Sequence, residues 1–216
     1  MPATALEPIS LSPRVVVFDY GEVISRPPGD ADRTALLRRA GVPVEAPAEA
    51  AFWAAYWRHR AALDQGTSSI ARYWADVAVE IGADWSPVDV HELWAIDHRS
   101  WLSVDPGTLG VLHALHEGGT RLALLSNAGE DFSGWLRSGS FAPLFERVFV
   151  SGELNLVKPD AAIYEHVMAA LGIEPDRFVF IDNKAENVEG AIAVGGEGHV
   201  FVDAASLESW LRSLAP

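Results

Sequence analysis

Four short clusters of this chain hold side chains able to do covalent or metal-assisted chemistry: Asp19, Ser126-Asn127, Lys158 and Asp182. Asp19 follows an apolar run and precedes Tyr20-Gly21. A carboxylate so placed can attack phosphorus or carbon and form a covalent intermediate; the plainer alternative is an aspartate that caps a turn. Ser126 and Asn127, in LLSNAG, offer a hydroxyl and an amide that can donate to an oxyanion or phosphate, or can serve only the turn. Lys158 precedes Pro159-Asp160, which reads as a helix start capped by Asp160. Its ammonium can oppose negative charge developing on a reacting group, or can simply be solvated. Asp182, in FVFIDNKAENVEG, makes with Asp19 a hard-oxygen pair suited to Mg²⁺, with waters filling the other positions. Glu186 is placed to bind those waters; the alternative is that Asp182 and Asn183 are cap residues.

The elements that must position these groups follow from hydrophobic spacing. Arg14 to Asp19 reads RVVVFD, a β-rich run that predicts a strand buried on both faces. From about Asp30 to His98 the spacing is helical. Phe52, Trp53, Tyr56 and Trp57 pair along one helix; Ile70, Tyr73, Trp74, Val77 and Ile81 form a stripe opening after Thr67 as its cap; Ser86-Pro87 starts another helix bearing Val90, Leu93 and Trp94. This is a four-helix insert. Beyond it, helix and strand alternate. Asp105-Pro106 opens a helix stopped by Gly118-Gly119, and strands are predicted over Arg121–Leu125, Val148–Val150, Phe178–Ile181 and His199–Val202. Helices are predicted over Asp160–Leu171, around Val188–Ile192 and around Leu207–Leu211. Such alternation implies an α/β fold: an open parallel sheet with helices on both faces, a Rossmann-like three-layer core. Ligands of these sheets bind beyond the carboxyl ends of the strands. Asp19, Ser126, Asn127 and Asp182 all fall there, so residues distant in sequence meet on one rim.

Composition bounds the possibilities. The 216 residues are 49% hydrophobic and 21% charged, a globular balance. The formal net charge of -14 argues against nucleic acid and anionic lipid as partners. No cysteine is present, which removes thiolate nucleophiles and thiolate metal sites. The first dozen residues read as a loose tail without the features of a signal peptide, and no apolar run approaches the ~20 residues that span a bilayer. The expectation is a cytoplasmic protein, monomer or homodimer, that does not engage a membrane. Its acidity requires that any anionic substrate be neutralised locally.

The order VVVFDYGEVI, LLSN, VKPD, FIDNKAEN resembles the four motifs of the haloacid dehalogenase (HAD) superfamily, over nearly the whole chain. The insert resembles the superfamily's C1-type cap. The resemblance implies a core of residues 1–24 and 100–216 and a cap of 25–99. It implies a Mg²⁺-dependent hydrolase of a small phosphorylated metabolite, with Asp19 as the nucleophile that becomes an aspartyl-phosphate. Ser126, with neighbouring amides and Asn127, would hold the phosphoryl group, and Lys158 would neutralise it. Asp19, Asp182 and the Gly21 carbonyl would bind Mg²⁺.

Two positions depart from the family's pattern. Most HAD phosphatases have an aspartate two residues after the nucleophile, which protonates the leaving group; here Gly21 stands there and transfers no proton. The run FDYGEVI resembles a glucose-1-phosphate phosphatase-like branch that shares this glycine. Glu22, Asp30, Asp32 and His59 are candidate substitutes. A substrate with a good leaving group would need little acid, and a weak or silent binding protein would need none. Asn183 replaces an aspartate that often follows the fourth-motif carboxylate. The rival chemistry is metal-independent dehalogenation of 2-haloacids, against which Asp182 and Gly21 both argue; it also needs a cap arginine, and Arg26, Arg33, Arg38, Arg39, Arg58 and Arg60 are all available. Six of eight tryptophans lie in or beside the insert and are expected chiefly to fill its core. One or two are left to face the site near His59 and Arg60.

Overall fold

The computed structural model describes residues 6–215. Five strands, β1 (Val15–Phe18), β2 (Arg121–Ser126), β3 (Arg147–Val150), β4 (Phe178–Asp182) and β5 (Glu197–Val200), form one parallel sheet in the order β3-β2-β1-β4-β5. The most apolar strand is central: β1 pairs Val15 with Arg121 on one side and Phe178 on the other. Successive residues then face opposite ways. Val16, Phe18, Leu122, Leu124, Val179 and Ile181 enter one hydrophobic cluster, and Val15, Val17, Ala123, Leu125, Phe178 and Phe180 enter another.

Helices α1 (Asp30–Ala40), α2 (Ala48–Asp64), α3 (Ile70–Ile81) and α4 (Pro87–Ser100) come between β1 and β2. They enclose a third cluster around Leu37, Phe52, Tyr56, Tyr73, Trp74 and Leu93. Local chemistry starts α4: Ser86 Oγ accepts from the Asp89 N–H, the Asp89 carboxylate accepts from the Ser86 N–H, and Pro87 holds the first position. The cap of α3 is Ser69 and not Thr67. Ser69 Oγ accepts from the Arg72 N–H at 3.2 Å, while the Thr67 hydroxyl turns back to close α2 on the Ala62 carbonyl.

The core helices are α5 (Pro106–Glu117), α6 (Ser133–Ser138), α7 (Ser151–Leu154), α8 (Ala161–Leu171), α9 (Ala185–Ala193) and α10 (Ala204–Leu214). Helices α5 and α10 cover one sheet face, and α8 and α9 the other. Asp160 occupies the position before α8, but its side chain makes no capping bond. The last strand pairs two residues earlier than the apolar run at His199 suggests. At Gly196 and Gly198 the backbone lies so close to Phe178 and Val188 that a Cβ would come within 2.7 and 2.6 Å of them. Glycine at these two positions lets the edge strand lie this close to its neighbours.

The N-terminal segment is not the loose tail its composition suggests. Residues 1–5 lie outside the described residues, but Ile9 and Leu11 are buried. The Ile9 N–H donates to the Ala114 carbonyl, and the Thr120 hydroxyl bridges Ile9 and Leu11. Gly118 makes the fit possible, since a Cβ there would fall 2.1 Å from the Ile9 carbonyl oxygen. Among the described residues no helix is long and apolar enough to cross a membrane.

Candidate active site

The three central strands deliver Asp19, Ser126 and Asp182 to one rim. Lys158, from the segment leading into α8, reaches into it. Its Nζ donates to Asp19 Oδ1 and Asp182 Oδ2, each at 2.7 Å, and to the Leu125 carbonyl at 3.1 Å. The lysine side chain and Asp182 are shut off from solvent, and Asp19 nearly so. Asp182 is held further: Oδ1 accepts from the Lys184 N–H and Oδ2 from Asn187 Nδ2.

Burial dominates the electrostatics. It pushes the Asp19 carboxyl up to about 6, Lys158 pulls it down, and Asp182 adds to the rise. Burial opposes the charge on Lys158, but the two aspartates outweigh it and hold the ammonium above the usual lysine range. The pair and its lysine therefore form one ionic unit with more negative than positive charge.

A cavity of about 350 Å³ opens over this unit. Asp19, Gly21, Ser126, Asn127, Lys158 and Asn183 are on its core side; Trp57, Arg60, Ala61 and Asp64, from the C-terminal part of α2, and Gln65 just after it, are on the cap side. Trp101 and Phe132 complete an aromatic wall. The Ser126 hydroxyl hydrogen-bonds none of the described residues and stays available to a ligand. Asn127 is engaged differently: its Oδ1 accepts from the Lys158 N–H at 3.0 Å, and its Nδ2 donates to the Lys158 carbonyl at 2.9 Å. Its side chain positions the lysine segment, so any contribution to a phosphoryl group comes from its backbone. Glu22, at a left-handed φ of 59°, lines the same cavity, and its carboxylate accepts from Asn183 Nδ2.

Residues 14–195 match the family of haloacid dehalogenase-like hydrolases. The chain belongs to this family. It is 30% identical over 101 residues to (S)-2-haloacid dehalogenase 1 of Pseudomonas sp. (strain CBS-3), covering 46% of this chain and 44% of that protein. It is 33% identical over 94 residues to glyceraldehyde 3-phosphate phosphatase of Methanothermobacter thermautotrophicus, covering 42% and 41%. The matched stretch is thus less than half the length of either relative. A HAD family enzyme of Bacteroides thetaiotaomicron, solved as a variant in complex with magnesium and inorganic phosphate, superposes with a TM-score of 0.67 at 19% identity, over 90% of this chain and 98% of that one.

The HAD-like hydrolase's own residues fit a divalent cation. Among the described residues no group of three or more His, Cys, Asp or Glu side chains could hold one. An ion would therefore rest on Asp19, Asp182, the Gly21 carbonyl, water and substrate oxygens, the sparse all-oxygen set Mg²⁺ accepts. Two carboxylates sharing one ammonium leave a buried negative charge unbalanced, and a cation at this place would balance it.

Several candidates fall elsewhere. His59 is bonded to Glu80 away from the cavity, and Asp32 accepts from the Gly29 N–H at the start of α1. Asp30 does not line the cavity, and Glu186 is exposed. Asn187, one residue on, is the group of α9 that meets Asp182; its apolar neighbours Val188 and Ala191 mark the inward face. Of the six candidate arginines only Arg60 lines the cavity. Trp57 and Trp101 face the site, while Trp74 is buried in the cap cluster with Trp53, Trp85 and Trp94 against it. Asp64 is a cavity residue that sequence reasoning misses; its i,i+4 spacing from Arg60 is the one signal that points to it.

Proposed function

We propose that this HAD-like hydrolase cleaves a small phosphomonoester through an aspartyl-phosphate on Asp19. The observation that carries the reading is the ionic unit itself: a cavity-lining carboxylate, Asp19, held by a buried ammonium that also grips a second carboxylate. Attack on a dianionic phosphate brings together more negative charge than attack on a 2-haloacid, whose single carboxylate lies off the reacting carbon. Lys158 offsets that repulsion and keeps Asp19 oriented for in-line attack. The Ser126 hydroxyl, free of partners among the described residues, donates to a phosphoryl oxygen. Asn127 fixes the Lys158 backbone so that its ammonium does not follow Asp19 out of line. When bound, Mg²⁺ would supply positive charge for the phosphoryl oxygens, with Asp19, Gly21 and Asp182 as its protein ligands. Relatives and neighbours include a phosphatase and a structure holding magnesium and phosphate, which supports this reading.

A second reading has an observation behind it too. One relative is a 2-haloacid dehalogenase, and Arg60 in the cavity wall is the kind of group a carboxylate substrate would meet. One assay separates them: phosphorylated metabolites and 2-haloacids, with Mg²⁺ and with chelator, beside Asp19→Asn. Phosphate release that disappears with chelator and in Asp19→Asn is the expected outcome. Chelator-resistant halide release would replace the proposal with dehalogenation. Ligand binding without any turnover would make the protein a silent binder of the same fold.

A further inference from the structure

Gly21 leaves this site without the usual proton carrier, and the structure narrows what replaces it. Three carboxylates line the cavity: Asp19, Glu22 and Asp64. Asp19 is the nucleophile. Glu22 is exposed, with Asn183 Nδ2 on one of its carboxylate oxygens, whereas Asp64 is half-buried. Asp64 sits at the end of α2 on the cap side, with Arg60 Nε 2.8 Å from its Oδ1 and no described group hydrogen-bonded to its Oδ2. Arg60 is itself fixed, donating to the Tyr56 hydroxyl at 2.8 Å and to Asp97 Oδ2 at 3.0 Å.

The main chain of Asp64 is fixed as well. Its carbonyl accepts from the Ser151 hydroxyl at the start of α7, while Ser151 Oγ accepts from the Ala128 N–H beside the phosphoryl-binding loop. Two residues on, Gly66 packs so closely on Gly152 that a Cβ would fall 2.1 Å from the Gly152 carbonyl oxygen. The end of α2 is thus clamped to the core where the cavity needs a carboxyl group.

We propose that Asp64 is the general acid and base of this hydrolase, supplying from the cap the proton transfer that Gly21 cannot. This rests on the phosphatase reading above. In the first step Asp19 Oδ bonds to phosphorus, the ester P–O bond breaks, and the Asp64 carboxyl proton passes to the departing oxygen. In the second, water bonds to phosphorus, the Asp19–phosphorus link breaks, and the water proton returns to Asp64 as phosphate leaves. The chemistry of the position suits the task. Burial raises the Asp64 carboxyl above the ordinary range, Arg60 and the more distant Lys184 oppose the rise, and Asp97 adds to it.

The test uses the full chain with Mg²⁺ and p-nitrophenyl phosphate, whose leaving group departs without a proton. Asp64→Asn keeps an oxygen for Arg60. It should give a stoichiometric burst of nitrophenolate and then turn over ~10²-fold more slowly. Acid-quenched protein should carry one phosphoryl group on Asp19 by mass. Adding Gly21→Asp should restore turnover, because a Cβ at Gly21 meets only Trp101 at 3.8 Å and Asp19 Oδ2 at 3.9 Å. Wild-type turnover in Asp64→Asn overturns the proposal. So does slow turnover with no phosphoenzyme and no rescue, which would make Asp64 a structural residue. Wild-type protein that releases no nitrophenolate sinks the phosphatase reading, and Asp64's role with it, and is told apart by the unmutated control.

Discussion

At the scale of the residue, the site's oddest feature is a lysine buried between two carboxylates. Removing one partner of a buried ionic set leaves the rest uncompensated, typically at ~3–5 kcal/mol. Lys158→Met should therefore lose turnover and also lower the urea midpoint of unfolding. The loss has a further signature. Without the ammonium, Asp19 and Asp182 repel each other across a short gap, and a divalent cation should stabilise the variant more than the wild type. Urea titrations with and without Mg²⁺ check this. Equal Mg²⁺ effects on the two proteins would show that no cation shares the carboxylate pair. Asn127→Ala probes the same unit from behind, since it strips two hydrogen bonds from the Lys158 backbone. The expected cost is about 1–3 kcal/mol, with kcat falling more than KM rises. Sequence showed that Asp19, Ser126, Asn127 and Asp182 share a rim, because each ends a strand. It did not show that Asn127 turns its side chain to Lys158, because that needs the path of a loop 31 residues away.

At the scale of the element, one junction couples cap to core. Helix α2 ends at Asp64, and the turn after it touches the core through Ser151 and the Gly66–Gly152 contact. Gly66 also needs its left-handed φ of 76°, which other residues rarely adopt. Gly66→Ala should thus push the turn away from Gly152 and cost about 1–3 kcal/mol. Amides after Asp64 should exchange faster with deuterium, while those of β1 and β4 keep their protection. Unchanged exchange around residues 64–70 would mean that the junction absorbs the methyl group and is not a clamp. The helices themselves were legible, since stripes such as Tyr73, Trp74 and Val77 repeat with helical period and Ser86-Pro87 is a strong start. Less legible was anything decided by contact between backbones. The glycine at position 198 lets β5 lie close to its neighbours, earlier than its apolar residues implied, and Gly118 drew Ile9 and Leu11 into the core. Helix phase was the other gap: His59 and Asp64 lie on one helix, but only the latter faces the cavity.

At the scale of the whole molecule, charge sets how a substrate arrives. The cavity wall balances itself: Lys158, Arg60 and Lys184 against Asp19, Glu22 and Asp64. The chain around it has a formal net charge of -14. A dianionic ester approaching from beyond the first few ångströms therefore meets repulsion, and only local contacts with Lys158, Ser126 and a bound cation inside the mouth would offset it. Screening acts on the long-range part first: the Debye length falls from roughly 30 Å at ~0.01 M salt to about 8 Å at ~0.15 M. Exposed acidic side chains then cease to oppose entry, while the buried ammonium of Lys158 is little affected. At fixed saturating Mg²⁺, kcat/KM for a phosphate dianion should rise over that range of potassium chloride, with kcat nearly constant. An uncharged surface would give a flat profile. A falling kcat/KM would mean that the basic groups of the cavity project far enough into solvent to steer the substrate, reversing the field assigned to this surface.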